Sequence, residues 1–166
     1  MTATLDQTGI ARRIPHQGRM CLLDRLESWT ADAVHCSATG HRDPSHPMRT
    51  RGGLLAPCAI EYAAQAMALH GALVAESLPG GGPATPTPGF IASVRGVRFE
   101  VERLDAVEGA LQVFAERLSG DDRQVLYAFR LTDAADRLLA GGRAVVVLNT
   151  PLAAWPAAAG AGEMAP

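Results

Sequence analysis

The spacing of apolar positions changes once along this 166-residue chain. Residues 57–77, PCAIEYAAQAMALHGALVAES, are apolar on nearly every side. The stretch predicts a long helix, with Pro57 in its first turn, where a missing N–H costs nothing. Glu61, Gln65 and His70 interrupt it. From residue 90 the period becomes two. FIASVRGVRFEVER, ALQVFAERL, QVLYAFRL and RLLAGGRAVVVLN predict four strands, with SGDDR and DAAD as turn chemistry between the last three. Loops that short join antiparallel strands, because a crossover needs more chain. Before the helix, MCLLDRLESW and DAVHCSAT predict two strands, and GHRDPSHPMRTRGG a loop. The expected architecture is α+β, in the order strand, strand, helix, four strands. It spans residues 14–150, after a flexible arm at 1–13 and before a disordered Ala/Gly/Pro-rich tail at 151–166. A helix apolar all round must be covered on most of its surface. One sheet covers one side, so a second subunit is expected to close the other.

Length favours a single compact domain. The formal net charge is -2 and the charges are scattered, so no basic stripe points to nucleic acid. Every basic side chain is Arg. The cysteines, Cys21, Cys36 and Cys58, are odd in number and do not read as a disulfide framework. Residues 1–13 lack the long apolar core of a secretory signal, and a reducing, cytoplasmic setting is expected. Three polar side chains and no flanking basic anchors argue against a membrane-spanning role for the helix. His35, Cys36, His41, Asp43 and His46 are close in sequence but do not repeat a zinc-site spacing. His35 and Cys36 also point to opposite faces of a strand, so no metal is expected. No nucleotide-binding loop is present and no cofactor is expected.

IPHQGRMCLLDRL and IEYAAQAMALHGAL, supported by GFIASVRGVRF, resemble the hotdog-fold β-hydroxyacyl-acyl-carrier-protein dehydratases. Among them the chain is most similar to the ApeP-like dehydratases of aryl polyene pathways. The resemblance implies a hotdog fold, in which a curved antiparallel sheet wraps one long central helix. It also implies a dimer of hotdogs, homo- or heterodimeric, with an active site shared across the dimer. The implied reaction dehydrates β-hydroxyacyl groups on acyl carrier protein to trans-2-enoyl thioesters, in fatty-acid or polyene biosynthesis. Glu61 stands where the family's helix carries its acid. The family's loop histidine corresponds to His46 in SHPMR, which keeps a His-Pro but not the rest of the loop. His41 is the reserve.

The chemistry suits these residue types. Removing a weakly acidic α-proton needs a base with a pKa near neutrality, which an imidazole such as His46 supplies. Expelling hydroxide needs a proton donor, and burial on an apolar helix is expected to keep Glu61 protonated. Backbone N–H groups around Ala56 to Ala59 are expected to face the developing enolate oxygen. Gln65 lies one turn beyond Glu61 on the same face. Gln65 and Cys58 are the candidate substrate contacts, with a buried amide bond and plain packing as their competing uses. His70 reads as a core histidine, His16 in PHQGR as structural, and Asp24 as the partner of an arginine. Arg12, Arg13, Arg49, Arg51, Arg95 and Arg98 are candidates for docking an acidic carrier protein. Two other readings stay open. One is a non-catalytic subunit supporting an active hotdog partner, motivated by the irregular HRDPSHPM loop. The other is a thioesterase in which the helix carboxylate activates water.

Overall fold

The computed structural model describes residues 4–82 and 89–148, so the predicted tail at 151–166 lies outside the described residues. Seven strands and one long helix follow in the order β1 (Leu5–Asp6), α1 (Gln7–Ala11), β2 (Arg25–Trp29), β3 (Ala33–Ala38), α2 (Ala59–Ser77), β4 (Phe90–Phe99), β5 (Leu111–Gly120), β6 (Gln124–Thr132) and β7 (Leu138–Val147). The segment expected to be a flexible arm is partly structured. Asp6 caps the short helix α1 by accepting from Gly9 N–H at 2.8 Å, and Ile10 and Ile14 enter the core.

The strands form one sheet in the order β1-β2-β3-β5-β6-β7-β4, antiparallel throughout. The turns after β5 and β6 are closed by aspartates that bind backbone locally. Asp121 accepts from Arg123 and Gln124 N–H, and Asp133 from Ala135 and Arg137 N–H. These turns keep β5, β6 and β7 consecutive, so β4 is left to pair with β7 at the sheet edge. The strands alternate as a half-buried sheet requires. Val34, Cys36 and Ala38 of β3, and Leu111, Val113 and Ala115 of β5, all face the core.

Helix α2 packs on β3, β5 and β6, giving the hotdog arrangement. Tyr62, Ala63, Ala66, Leu69 and Leu73 are buried against the sheet. Ile60, Ala64, Ala68 and Ala72 form a second stripe at i, i+4 spacing that the chain leaves only half-buried. The entry to the helix is fixed by a tight approach at Gly53 (φ +97°), where a Cβ would lie 2.6 Å from Arg103 Nε. That approach lets Leu54 N–H donate to Asp105 at 3.1 Å, while Asp105 also holds Arg103 and Arg49. A short 3-10 turn, Ala56–Cys58, then leads into α2. Among the described residues no helix is long and apolar enough to cross a membrane.

Three histidines sit inside this frame. His41, His46 and His70 are all buried, and burial pushes the pKa of each below its ordinary value. The unfolded chain then takes up protons first as pH falls below about 6.5. Stability contributed by the neutral rings is complete above that pH and declines as pH falls through the window below it. Denaturant titrations at about pH 7.5 and about pH 5.5 are expected to show a lower midpoint at the acid value, before the carboxylates titrate near pH 4. Equal midpoints would contradict the buried, neutral state of these rings.

Candidate active site

Gln65 organises the region around the helix carboxylate. Its side chain is fully buried, and every hydrogen-bonding direction that matters is used. The amide oxygen accepts from Leu22 N–H at 2.8 Å. The amide nitrogen donates to Met20 O at 2.7 Å and to Glu61 Oε1 at 2.9 Å. The i, i+4 spacing on α2 brings Gln65 onto Glu61. The segment before β2, a 3-10 turn ending at Met20 and the irregular chain after it, supplies the backbone partners.

Glu61 sits at the first turn of α2 with 26 % of its side chain exposed, and it meets an imidazole. That imidazole is His16, whose Nε2 lies 2.9 Å from Glu61 Oε1. A carboxylate only accepts, so Nε2 is the nitrogen that carries the hydrogen. His16 Nδ1 is buried and has no partner. Burial pushes the Glu61 pKa up, but the hydrogen bonds from His16 and Gln65 and the His16 charge interaction pull it down further. The net shift is downward, and Glu61 rests as a carboxylate. This reverses the expectation of a neutral acid: the helix environment is apolar, but the donors aimed at Oε1 outweigh it.

His46 bonds the residue that follows Glu61 and makes no hydrogen bond to Glu61 itself. Met48 N–H donates to its Nδ1 at 3.2 Å, and its Nε2 bonds the Tyr62 hydroxyl at 3.0 Å. Burial lowers the His46 pKa and raises that of Tyr62. His41 is fully buried with Nε2 on Val107 O at 3.0 Å, and its Nδ1 has no partner. His70 bridges Tyr127 OH at 2.9 Å and Thr30 O at 3.1 Å inside the core. Cys58 ends the 3-10 turn before α2, and burial raises its pKa, so it rests as a thiol.

Several expectations change. The backbone donors assigned to an enolate oxygen are occupied in the chain: Ala56 N–H bonds Glu102 O, Cys58 N–H bonds Leu55 O, and Ala59 N–H turns back to Ala56 and Pro57. Asp24 does not pair with an arginine. It accepts from Thr39 N–H and the Thr39 hydroxyl, each at 2.6 Å, because β2 and β3 bring those residues together. Of the six candidate docking arginines, Arg13 is tied to Glu76, Arg49 to Asp105 and Arg98 to Glu100. No group of three or more His, Cys, Asp or Glu gathers at metal-binding distance among the described residues. Surface clefts of about 390 and 700 Å³ lie away from Glu61, one against β2, β3, β5 and β6, the other beside β7. His16, read from the sequence as structural, is the neighbour of Glu61 that sequence reasoning missed. Its signal was present, since PHQGR and the residues 20–22 that Gln65 holds belong to one motif, but only folding brings His16 to Glu61.

A long helix on an antiparallel sheet, with a carboxylate at its first turn, defines the chain as a hotdog protein. The family model for ApeP-like proteins, the ApeP dehydratase, matches residues 8–155. The chain belongs to this dehydratase family. No curated protein matches the sequence. Among solved structures it is similar to the dehydratase heterocomplex ApeI:P from Xenorhabdus doucetiae, with TM-score 0.72 and 23% identity over 85% of this chain and 91% of that one. It is also similar to a thioesterase from Haemophilus influenzae, with TM-score 0.60 and 11% identity over 89% and 92%. A mutant thioesterase from Staphylococcus aureus gives TM-score 0.54 and 14% identity over 74% and 90%. Identities this low establish the shared fold and nothing finer.

Replacing Gln65 by Leu leaves the buried Leu22 N–H and the partly buried Met20 O without their partners. At about 1–3 kcal/mol for the buried N–H and less for the carbonyl that water can reach, the expected loss is about 1–4 kcal/mol of unfolding free energy, measured by denaturant titration. A loss below about 0.5 kcal/mol would mean that Gln65 does not hold this segment.

Proposed function

We propose that this chain is a subunit of a dehydratase acting on β-hydroxyacyl groups carried as thioesters on acyl carrier protein. The observation that supports this reading best is Glu61 itself. It is a carboxylate on a largely buried helix, held through one oxygen by His16 and Gln65. In the reaction a Cα–H bond breaks, its electrons form the double bond to Cβ, and the Cβ–O bond breaks. The hydroxyl leaves with one proton as water, and the product is the trans-2-enoyl thioester. As a resting carboxylate, Glu61 can take the α-proton and return it to the departing oxygen. With His46 as base and Glu61 as acid, Glu61 must first be protonated. An acyl chain that displaces water from Glu61 drives its pKa in that direction.

A second chain fits the surfaces. The half-buried stripe of Ile60, Ala64, Ala68 and Ala72 and the edge position of β4 suit a second hotdog subunit. The ApeI:P relative is a heterocomplex, which supports a heterodimer here as well as a homodimer. The acyl chain then lies along α2 where the subunits meet. Gln65, locked into its own chain, serves this reading by fixing Glu61, and Cys58 lines the approach to it. Exposed Arg12, Arg51 and Arg95 suit contact with an acidic carrier protein.

The supporting-subunit reading stands beside it because the HRDPSHPM loop departs from the dehydratase pattern. His46 bonds Tyr62 within the chain, and in a shared site the carboxylate facing it would come from the other subunit. Assays of the purified chain alone, and mixed with a hotdog dehydratase partner, separate the two. Glu61→Gln is expected to lower enoyl formation by at least about 100-fold, the scale of a lost proton-transfer group. A similar loss in His46→Ala assigns the base to His46, and retained activity leaves the proton to Glu61. Turnover found only in the mixture and untouched by Glu61→Gln makes the chain a support subunit. Free thiol without enoyl product makes it a thioesterase.

A further inference from the structure

The geometry points to His16, in the N-terminal PHQGR segment, as the residue that positions Glu61 for proton transfer. This role rests on the dehydratase reading above, but its main readouts do not require turnover.

Both donors at Glu61 converge on one oxygen. His16 Nε2 and Gln65 Nε2 each lie 2.9 Å from Oε1. Gln65 is itself immobilised by Met20 O and Leu22 N–H, so its N–H direction is set by the fold. The Gln65 hydrogen bond and the His16 contact both fall on Oε1, so the carboxylate cannot rotate without losing them. Among the described residues no donor of the chain meets Oε2. That oxygen is therefore presented in a fixed direction and left available for a single proton.

The unpartnered nitrogen argues against a purely structural imidazole. His16 Nδ1 is buried with no hydrogen bond. A leucine would fill the space, and a glutamine would donate to Glu61, without burying a bare ring nitrogen. What the ring adds is a rigid donor whose reach is set by one planar group. It comes from a segment that Gln65 already anchors to the helix. The titratable groups that interact with Glu61 are His16, from the N-terminal segment, and Cys58, at the start of its own helix. Cys58 rests as a thiol, which leaves His16 as the neighbour able to stabilise the carboxylate.

The test uses the purified full chain. In the wild type, imidazole 15N NMR is expected to show His16 with its hydrogen on Nε2, and a hydrogen on Nδ1 alone overturns the assignment. Carboxyl 13C titration is expected to place the Glu61 midpoint at higher pH in His16→Leu than in the wild type. The sign follows because the substitution removes donors that favour the charged form. His16→Gln, which restores a neutral donor, is expected to bring the midpoint back toward the wild type. An unmoved Glu61 midpoint in His16→Leu sinks the proposal. In the active assembly, His16→Leu is expected to lower kcat by about 10- to 100-fold with KM little changed, as for a misplaced reacting group. The limb of the kcat/KM profile that reports Glu61 is expected to move to higher pH with it. If the wild type dehydrates nothing in any pairing, the dehydratase reading fails, while the NMR titrations still decide the role of His16.

Discussion

One buried amide connects the two halves of this site. Gln65 reaches from the helix to the backbone of residues 20 and 22 and, with its remaining hydrogen, to Glu61. Burying an unpaired amide is costly, so the segment before β2 and the first turns of α2 must keep one relative position. The rest follows from that. Leu22 and Leu23 are drawn into the core, and His16 is carried to the carboxylate. A polar residue in an otherwise apolar helix thus specifies where a distant piece of chain lies, which hydrophobic contacts alone define loosely.

Glu61 shows how opposing effects are resolved. Burial favours the neutral carboxyl, and two hydrogen bonds to one oxygen favour the ion. The hydrogen bonds prevail because they are short and fixed, whereas the residue remains partly open to solvent. The same open side gives the carboxylate access to a reacting group. An acid buried completely would be neutral but out of reach, and one fully exposed would be charged but unfocused.

The helix also has a half-buried side. His46 bonds Tyr62 and not Glu61 within the chain, and Ile60, Ala64, Ala68 and Ala72 line the half-buried stripe of α2. Ala64, Ala68 and Ala72 permit close approach of another surface, and strand β4 lies at the edge where a sheet can continue. These features belong to the same helix and sheet that hold Glu61, so the proposed subunit contact and the proposed chemistry rest on one scaffold.

The sequence alone carried the period change, the single long helix and the strand count apart from the short β1, because these depend on local spacing and turn chemistry. It also carried the family, through motifs at residues 14–26 and 60–73, supported by 89–99. Glu61 was legible because a charge inside an apolar helix is conspicuous without any neighbour. Its protonation was not, since that depends on donors from residues far away in the chain. The pairing of Glu61 with His16, the capture of His46 by Tyr62 and the occupation of the Ala56–Ala59 amides were decided only in three dimensions. Periodicity states which face of an element is buried, but not which polar atoms meet once the faces close, and at this site those meetings set the charge.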